Sequence, residues 1–211
     1  TRQRSRYDRL GGGEARARLQ ALLLLTLQGT PFLYYGEELG LPEARLAREW
    51  VRDPAGLRFW PFYRGRDGCR TPMPWDDGPE AGFTRGTPWL PIPAEHRRLS
   101  VATQERDPDS VLATYQRLLA LRRAAPALRE GRQVGPDRDT RHLLAWRREH
   151  ADQTVQVVAN PTRAPVPFRL ARRSRPRCLF STHRAREGRV LEQRWILLRP
   201  HEGCVLELNF R

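Results

Sequence analysis

Residues 31–35 read Pro-Phe-Leu-Tyr-Tyr, an apolar run set between Gly29 and Gly36. A run with no polar interruption predicts a short β-strand buried on both faces. The helix that feeds it is expected from Glu14, whose carboxylate suits the positive end of a helix, through Ala15, Ala17, Leu19 and the four leucines 22–25, with Gly29 closing it. A strand of this kind needs partners on both sides, reached by right-handed crossovers. Nothing later in the chain repeats the unit. The next expected helix starts at Asp107-Pro108, an N-cap with proline in the first turn, and presents Val111, Leu112, Tyr115, Leu118 and Leu119 before Ala124. Helix, strand, long loop, helix is too little to close a sheet. The chain therefore reads as the tail of a larger barrel or sheet domain.

The segment between strand and second helix is long and rich in Pro, Gly and Trp, and loops of that length inside domains are usually functional. In parallel α/β folds the loops after the strands carry the active site. At its centre lies Gly65-Arg66-Asp67-Gly68-Cys69-Arg70-Thr71-Pro72-Met73-Pro74-Trp75-Asp76. Pro72 and Pro74 exclude a helix and push the residues before them into extended geometry. Gly65 and Gly68 are expected to supply turns with positive φ. Arg66, Asp67, Arg70, Trp75 and Asp76 are thus crowded onto a stiff loop. Guanidinium forks and an indole plate are the means of gripping a polyol and the apolar face of its ring. The same residues suit a loop held by its own Arg–Asp pairs, and spacing alone leaves both readings open.

Past Gly131 the period changes to short alternating runs, at 142–146, 154–159, 166–170, 177–180, 190–198 and 204–210, with turn signals such as Asn160-Pro161-Thr162 and Glu187-Gly188 between them. This predicts an antiparallel β-sandwich and a boundary near residue 130. The arginines at 172, 173, 175 and 177 read as a solvated charge run.

A net charge of +14 would ordinarily raise nucleic acid as a partner. All 38 basic residues, however, are arginine and are scattered along the chain. GC-rich coding accounts for that pattern more simply than a binding surface does, and no nucleic-acid partner is expected. Three widely spaced cysteines, Cys69, Cys178 and Cys204, form neither a zinc signature nor a disulfide framework. They point to buried fillers in a reducing cytoplasm, and no metal or other cofactor is expected. No run approaches the roughly 20 apolar residues of a membrane span. The chain opens on Thr1 rather than Met, and we expect sequence upstream of it.

At this point the residues resemble a family. Gly29-Thr30-Pro31-Phe32-Leu33-Tyr34-Tyr35-Gly36-Glu37-Glu38 looks like the barrel-end motif G-x-P-x-x-Y-x-G-x-E of the α-amylase superfamily. Arg66 to Trp75 resembles the R-D-x-x-R-T-P-M-x-W loop of its α-glucosidase and oligo-1,6-glucosidase branch. Ala81-Gly82-Phe83 and Pro88-Trp89-Leu90-Pro91 continue that pattern in order. The resemblance implies α/β plus all-β architecture: the C-terminal end of a (β/α)8 TIM barrel, residues 1–130, followed by an antiparallel β-sandwich, residues 131–211. Within it, 32–35 would be the eighth strand.

The family cleaves α-glucosidic bonds with retention, which needs two carboxyl groups about 5–5.5 Å apart across the sugar. The resemblance places its three catalytic carboxylates upstream of this chain, so no catalytic residue is assigned here and the chain alone is expected to be inactive. It implies substrate binding by Arg70 at the terminal glucose, with Arg66, Asp67 and Trp75 beside it. Tyr34, Gly36 and Glu38 match the barrel-end motif. The expected partners are a small α-glucoside and the missing N-terminal barrel segment. Two further readings remain: an α-glucosyl transferase or isomerase such as trehalose synthase, and a non-catalytic amylase-like subunit.

Overall fold

The computed structural model describes residues 13–135, 142–170 and 175–208. Arg172, Arg173 and the end of the run expected at 204–210 lie outside the described residues. By their contacts the described residues group into two units, one of residues 33–113 and the other of 14–32 and 114–208.

In the second unit, helix α1 (Gly13–Thr26) buries Ala17, Leu19, Ala21, Leu22 and Leu25. The last carbonyls of a helix have no partner within it. Two arginines supply one here. Arg122 donates to the carbonyls of Leu25, Leu27 and Gly29 at 2.7, 3.2 and 2.6 Å. Arg148, buried, donates to Thr26 O at 2.9 Å and also to Gly131 O. Burial lowers the pKa of both guanidinium groups, and for Arg148 the nearby Arg122 charge adds to the effect. Guanidinium remains charged through such a shift.

Among the described residues seven strands follow: β1 (Arg132–Val134), β2 (Leu144–His150), β3 (Gln153–Ala159), β4 (Val166–Arg169), β5 (Arg177–Ser181), β6 (Trp195–Leu198) and β7 (Gly203–Glu207). Five form an antiparallel sheet in the order β1-β2-β3-β7-β5, and β4 pairs with β6 in a second. The row Ala145–Val158–Cys204 faces Phe168, Ile196 and Leu198 of the small sheet and makes the sandwich core. The opposite row, Trp146–Val157–Val205–Phe180, is buried as well. On that face Gly203 meets Leu19 and Leu22 of α1: a Cβ there would lie 2.8 Å from Leu19 Cδ1. Burial on both faces is why β3 reads as a continuous apolar run at 157–159.

The fold class is the one anticipated, mixed α/β followed by an antiparallel sandwich. Three expectations need correction. Residues 30–34 form neither helix nor strand and pair with no strand among the described residues, and 35–40 form turns. Phe32 is 85% exposed. A strand buried on both faces requires neighbours, and the described residues supply none beside this run. The second helix, α5 (Val111–Ala124), begins one turn later than expected. Ser110 Oγ accepts from Ala113 N at 3.1 Å, while Asp107 is spent on a turn with Asp109 N at 2.8 Å. The run at 190–198 is likewise not one strand. Val190 makes an isolated bridge to Arg177, and only Trp195–Leu198 forms a strand.

The unit of residues 33–113 has no ladder among its described residues. Its helices are short: α2 (Pro54–Arg58), α3 (Ala94–Arg98) and α4 (Val101–Glu105), with three 3-10 turns at Arg48–Trp50, Asp67–Cys69 and Pro79–Gly82.

Candidate functional site: an arginine pair rooted on two buried aspartates

The site is built from residues 52–56 and 64–71. Asp67 opens a 3-10 turn closed by Cys69 N to Arg66 O at 3.0 Å and Arg70 N to Asp67 O at 2.8 Å. Its side chain is buried, and Oδ2 accepts the backbone N–H groups of Arg52 and Asp53 at 2.6 Å each. Asp67 Oδ1 lies 3.5 Å from Arg70 Nη1. Asp67 is therefore a brace that ties the loop to residues 52–53.

Asp53 is also buried. Its Oδ1 caps α2 by accepting from Ala55 N at 3.0 Å and Gly56 N at 3.3 Å. Oδ2 accepts from Arg66 Nε at 3.0 Å and lies 3.6 Å from Arg70 Nη1. The Arg66 guanidinium holds the Asp53 carboxyl below the ordinary carboxylate range, against the effect of burial and with help from the two backbone donors. The same bond raises Arg66. Arg66 is held by its Nε and Arg70 stands at ion-pair distance through Nη1, while the Arg66 side chain is 64% and that of Arg70 37% exposed.

Two glycines let these segments touch. Gly65 has φ +75, and a Cβ on it would lie 2.7 Å from Asp53 Cβ. Gly68 is glycine for a different reason from the one expected. Its φ is not positive, but a Cβ would meet the Ala44 carbonyl oxygen at 2.4 Å.

Two tyrosines beside this loop brace it. Tyr34 and Tyr35 donate their hydroxyls to the carbonyls of Cys69 and Thr71, each at 3.1 Å, on either side of Arg70. Gly36, with φ +83, accepts from Leu41 N at 2.9 Å. Glu38 stands half-buried in the same turn. Behind the loop, buried His96 donates from Nε2 to Pro42 O at 2.9 Å, which leaves Nδ1 to accept the Thr71 hydroxyl at 3.2 Å. The backbone at Pro74–Trp75 is pinned by Val101 N and Ala102 N at 3.0 and 2.9 Å, while Trp75 as a residue is 52% exposed.

Arg66, Asp67 and Arg70 are thus brought together, Tyr34 is brought to their backbone, and Trp75 is held nearby in sequence. A cleft of about 790 Å³ in this unit is lined by Arg45, Arg64, Gly65, Gly68, Glu95 and His96 among others, with Arg66, Arg70 and Trp75 outside its lining. Among the described residues, no three His, Cys, Asp or Glu side chains are grouped to hold a metal ion.

Sequence reasoning missed Asp53, Tyr35 and His96. Asp53-Pro54 carries the same cap-plus-proline signature as Asp107-Pro108, so the sequence holds a signal for Asp53. His96 stands in no motif.

Residues 1–131 match the family described as "Alpha amylase, catalytic domain". The chain belongs to the α-amylase family. A probable α-glucosidase of Rhizobium meliloti (strain 1021) is 48% identical over 147 residues, 70% of this chain and 26% of that protein. An oligo-1,6-glucosidase of Parageobacillus thermoglucosidasius is 30% identical, over 92% of this chain and 38% of its own length. Among solved structures, the α-glucosyl transfer enzyme XgtA superposes with a TM-score of 0.84 at 39% identity, covering 97% of this chain and 38% of that one. The chain spans between about a quarter and two fifths of the length of these relatives. The fold class anticipated from the family, a barrel end followed by a β-sandwich, holds.

Proposed function

We propose that this chain supplies part of the glucose-binding subsite of a retaining α-glucosidase acting on short α-glucosides of the maltose or isomaltose type. Residues 1–130 belong to its catalytic barrel and 131–211 to its C-terminal sandwich, a reading supported by the family match ending at residue 131. The observation that carries it is the pair Arg66 and Arg70, held by buried Asp53 and Asp67 with both side chains partly exposed. Guanidinium forks held at the root donate to sugar hydroxyls with little entropy left to lose. The relatives named α-glucosidase and oligo-1,6-glucosidase supply the substrate class.

In this reading Arg70 holds the terminal glucose, Arg66 and Asp67 support it, and Trp75 offers its indole to the ring. Tyr34, Gly36 and Glu38 support the barrel end. The bond-cleaving carboxylates and the remaining barrel come from sequence outside these residues. Three buried free thiols fit a reducing cytoplasm, and no helix among the described residues is long and apolar enough to cross a membrane. In a protein of the relatives' full length that carries this segment, Arg70→Ala is expected to lower kcat/KM for maltose by roughly 10–1000-fold, about 1.4–4 kcal/mol. An unchanged kcat/KM removes the role.

A second reading is favoured by the 39% identity to an α-glucosyl transfer enzyme. Transfer moves glucose to a sugar acceptor where hydrolysis moves it to water. Product analysis with maltose separates them: free glucose alone supports hydrolysis, and new disaccharides or longer sugars support transfer.

A further inference from the structure

The carboxylate that organises the sugar-facing arginines lies outside the loop motif. We infer that Asp53 is the positioning residue of the site, aiming Arg66 and Arg70 from a single buried oxygen. The inference rests on the proposed glucose-binding role of the loop only for its consequence in catalysis; the geometry stands without it.

Asp53 does two jobs with two oxygens. Oδ1 accepts from Ala55 N and Gly56 N, and so holds the start of α2. Oδ2 takes Arg66 Nε at 3.0 Å and stands 3.6 Å from Arg70 Nη1. The cap fixes where the carboxylate is, and the carboxylate then fixes where the guanidinium groups are. The approach is built into the backbone. Gly56 could carry no Cβ without meeting Arg64 O at 2.8 Å, and Gly65 none without meeting Asp53 Cβ at 2.7 Å. Asp67 completes the lock, since its Oδ2 bonds the N–H of Asp53 itself at 2.6 Å. A side chain at either glycine would part the two segments, and a different side chain at 53 would leave the arginines without a common anchor.

The two jobs separate by substitution, because asparagine caps a helix as well as aspartate but carries no charge. Asp53→Asn keeps an acceptor for Ala55 and Gly56 and removes the ionic anchor. The test is a side-chain Nε–Hε spectrum of the arginines, with amide exchange at residues 55 and 56 as control. In the protein we expect a downfield, slowly exchanging Arg66 Nε–Hε that collapses to the solvent-exposed position in Asp53→Asn, with exchange at Ala55 and Gly56 changed less than threefold. An Arg66 signal that keeps its shift and protection in that variant overturns the inference. Asp53→Ser, also a capping residue, is the second variant. If both variants release the amides of α2, the carboxylate is a support for the fold and the positioning claim falls.

A kinetic arm in a protein of the relatives' full length reads the consequence. Asp53→Asn should raise KM for p-nitrophenyl α-glucoside at least tenfold with kcat changed less than threefold, and adding Arg70→Ala should cost no more than Arg70→Ala alone. Fully additive losses would sever Asp53 from Arg70 and overturn the inference. If Arg70→Ala itself has no effect, the glucose-binding reading fails, and the spectrum still decides Asp53.

Discussion

The two units hold their shape by different means. The sandwich unit is carried by ladders: β2, β3 and β7 are paired residue for residue, and apolar rows lie buried on both faces of the larger sheet. The unit of residues 33–113 has no ladder among its described residues; it buries Leu39, Leu41, Val51 and Leu90, and its loop is tied by side chains that bond backbone. Asp53 and Asp67 take N–H groups, Tyr34 and Tyr35 take carbonyls, and His96 bridges Thr71 to Pro42. Ladders distribute their energy over many similar contacts, whereas the loop concentrates it in a few polar groups that must all be present. A functional surface needs guanidinium ends in solvent, and a polar scaffold delivers them where an apolar core would bury them.

That contrast is open to attack by mutation. Phe180→Ala, in the buried row of the large sheet beneath Arg117, is expected to cost about 3–5 kcal/mol. Hydrogen exchange should show the loss spread over β3, β5 and β7. Gly68→Ala is expected to cost about 1–3 kcal/mol, since backbone must give way where Cβ would meet Ala44 O. Exchange should rise at residues 44 and 66–71 and stay unchanged in the sheet. Spread of that second loss into the sandwich would break the distinction.

Acid supplies the smallest and finest probe. Burial, opposed at His183 by Glu202 and reinforced at both by nearby arginines, lowers the pKa of His183 and of His201 in the sandwich unit. A lowered value in the folded state means that folding favours the neutral ring. The stability from these histidines is therefore whole above the unfolded value near 6.5, and is lost as pH falls through the folded values. Asp53 is lowered too, chiefly by Arg66, so its contribution is whole above about 3.9 and is lost only at still lower pH. NMR titration should find both imidazoles protonating below pH 6.5 and the Asp53 carboxyl below the free aspartate value. An Asp53 titration at or above that value would detach it from Arg66.

Legibility in the sequence followed the same divide. Apolar and alternating runs bounded by turn residues announced β3, β4 and β5 nearly to the residue, because strand composition and its flanking turns are written in the local sequence. The three-residue β1 is too short to show a period. The run at 31–35 carries the composition of a strand, yet strand formation depends on partners that composition does not contain. In the loop, the motif pointed to Arg66, Asp67 and Arg70. Asp53 went unseen because its bond to Arg66 spans thirteen residues and follows from where Gly56 and Gly65 let the backbone meet. Tyr35 escaped notice because its ring reads as core, whereas its hydroxyl is what matters.

In the proposed function these 211 residues supply part of the grip on glucose and not the groups that cut the bond. The direct measurement is turnover by the pure 211-residue chain with maltose, isomaltose and p-nitrophenyl α-glucoside. We expect no glucose or nitrophenol above the uncatalysed background. Sustained hydrolysis that survives repurification would contradict the account, for the cutting carboxylates would then lie within this chain.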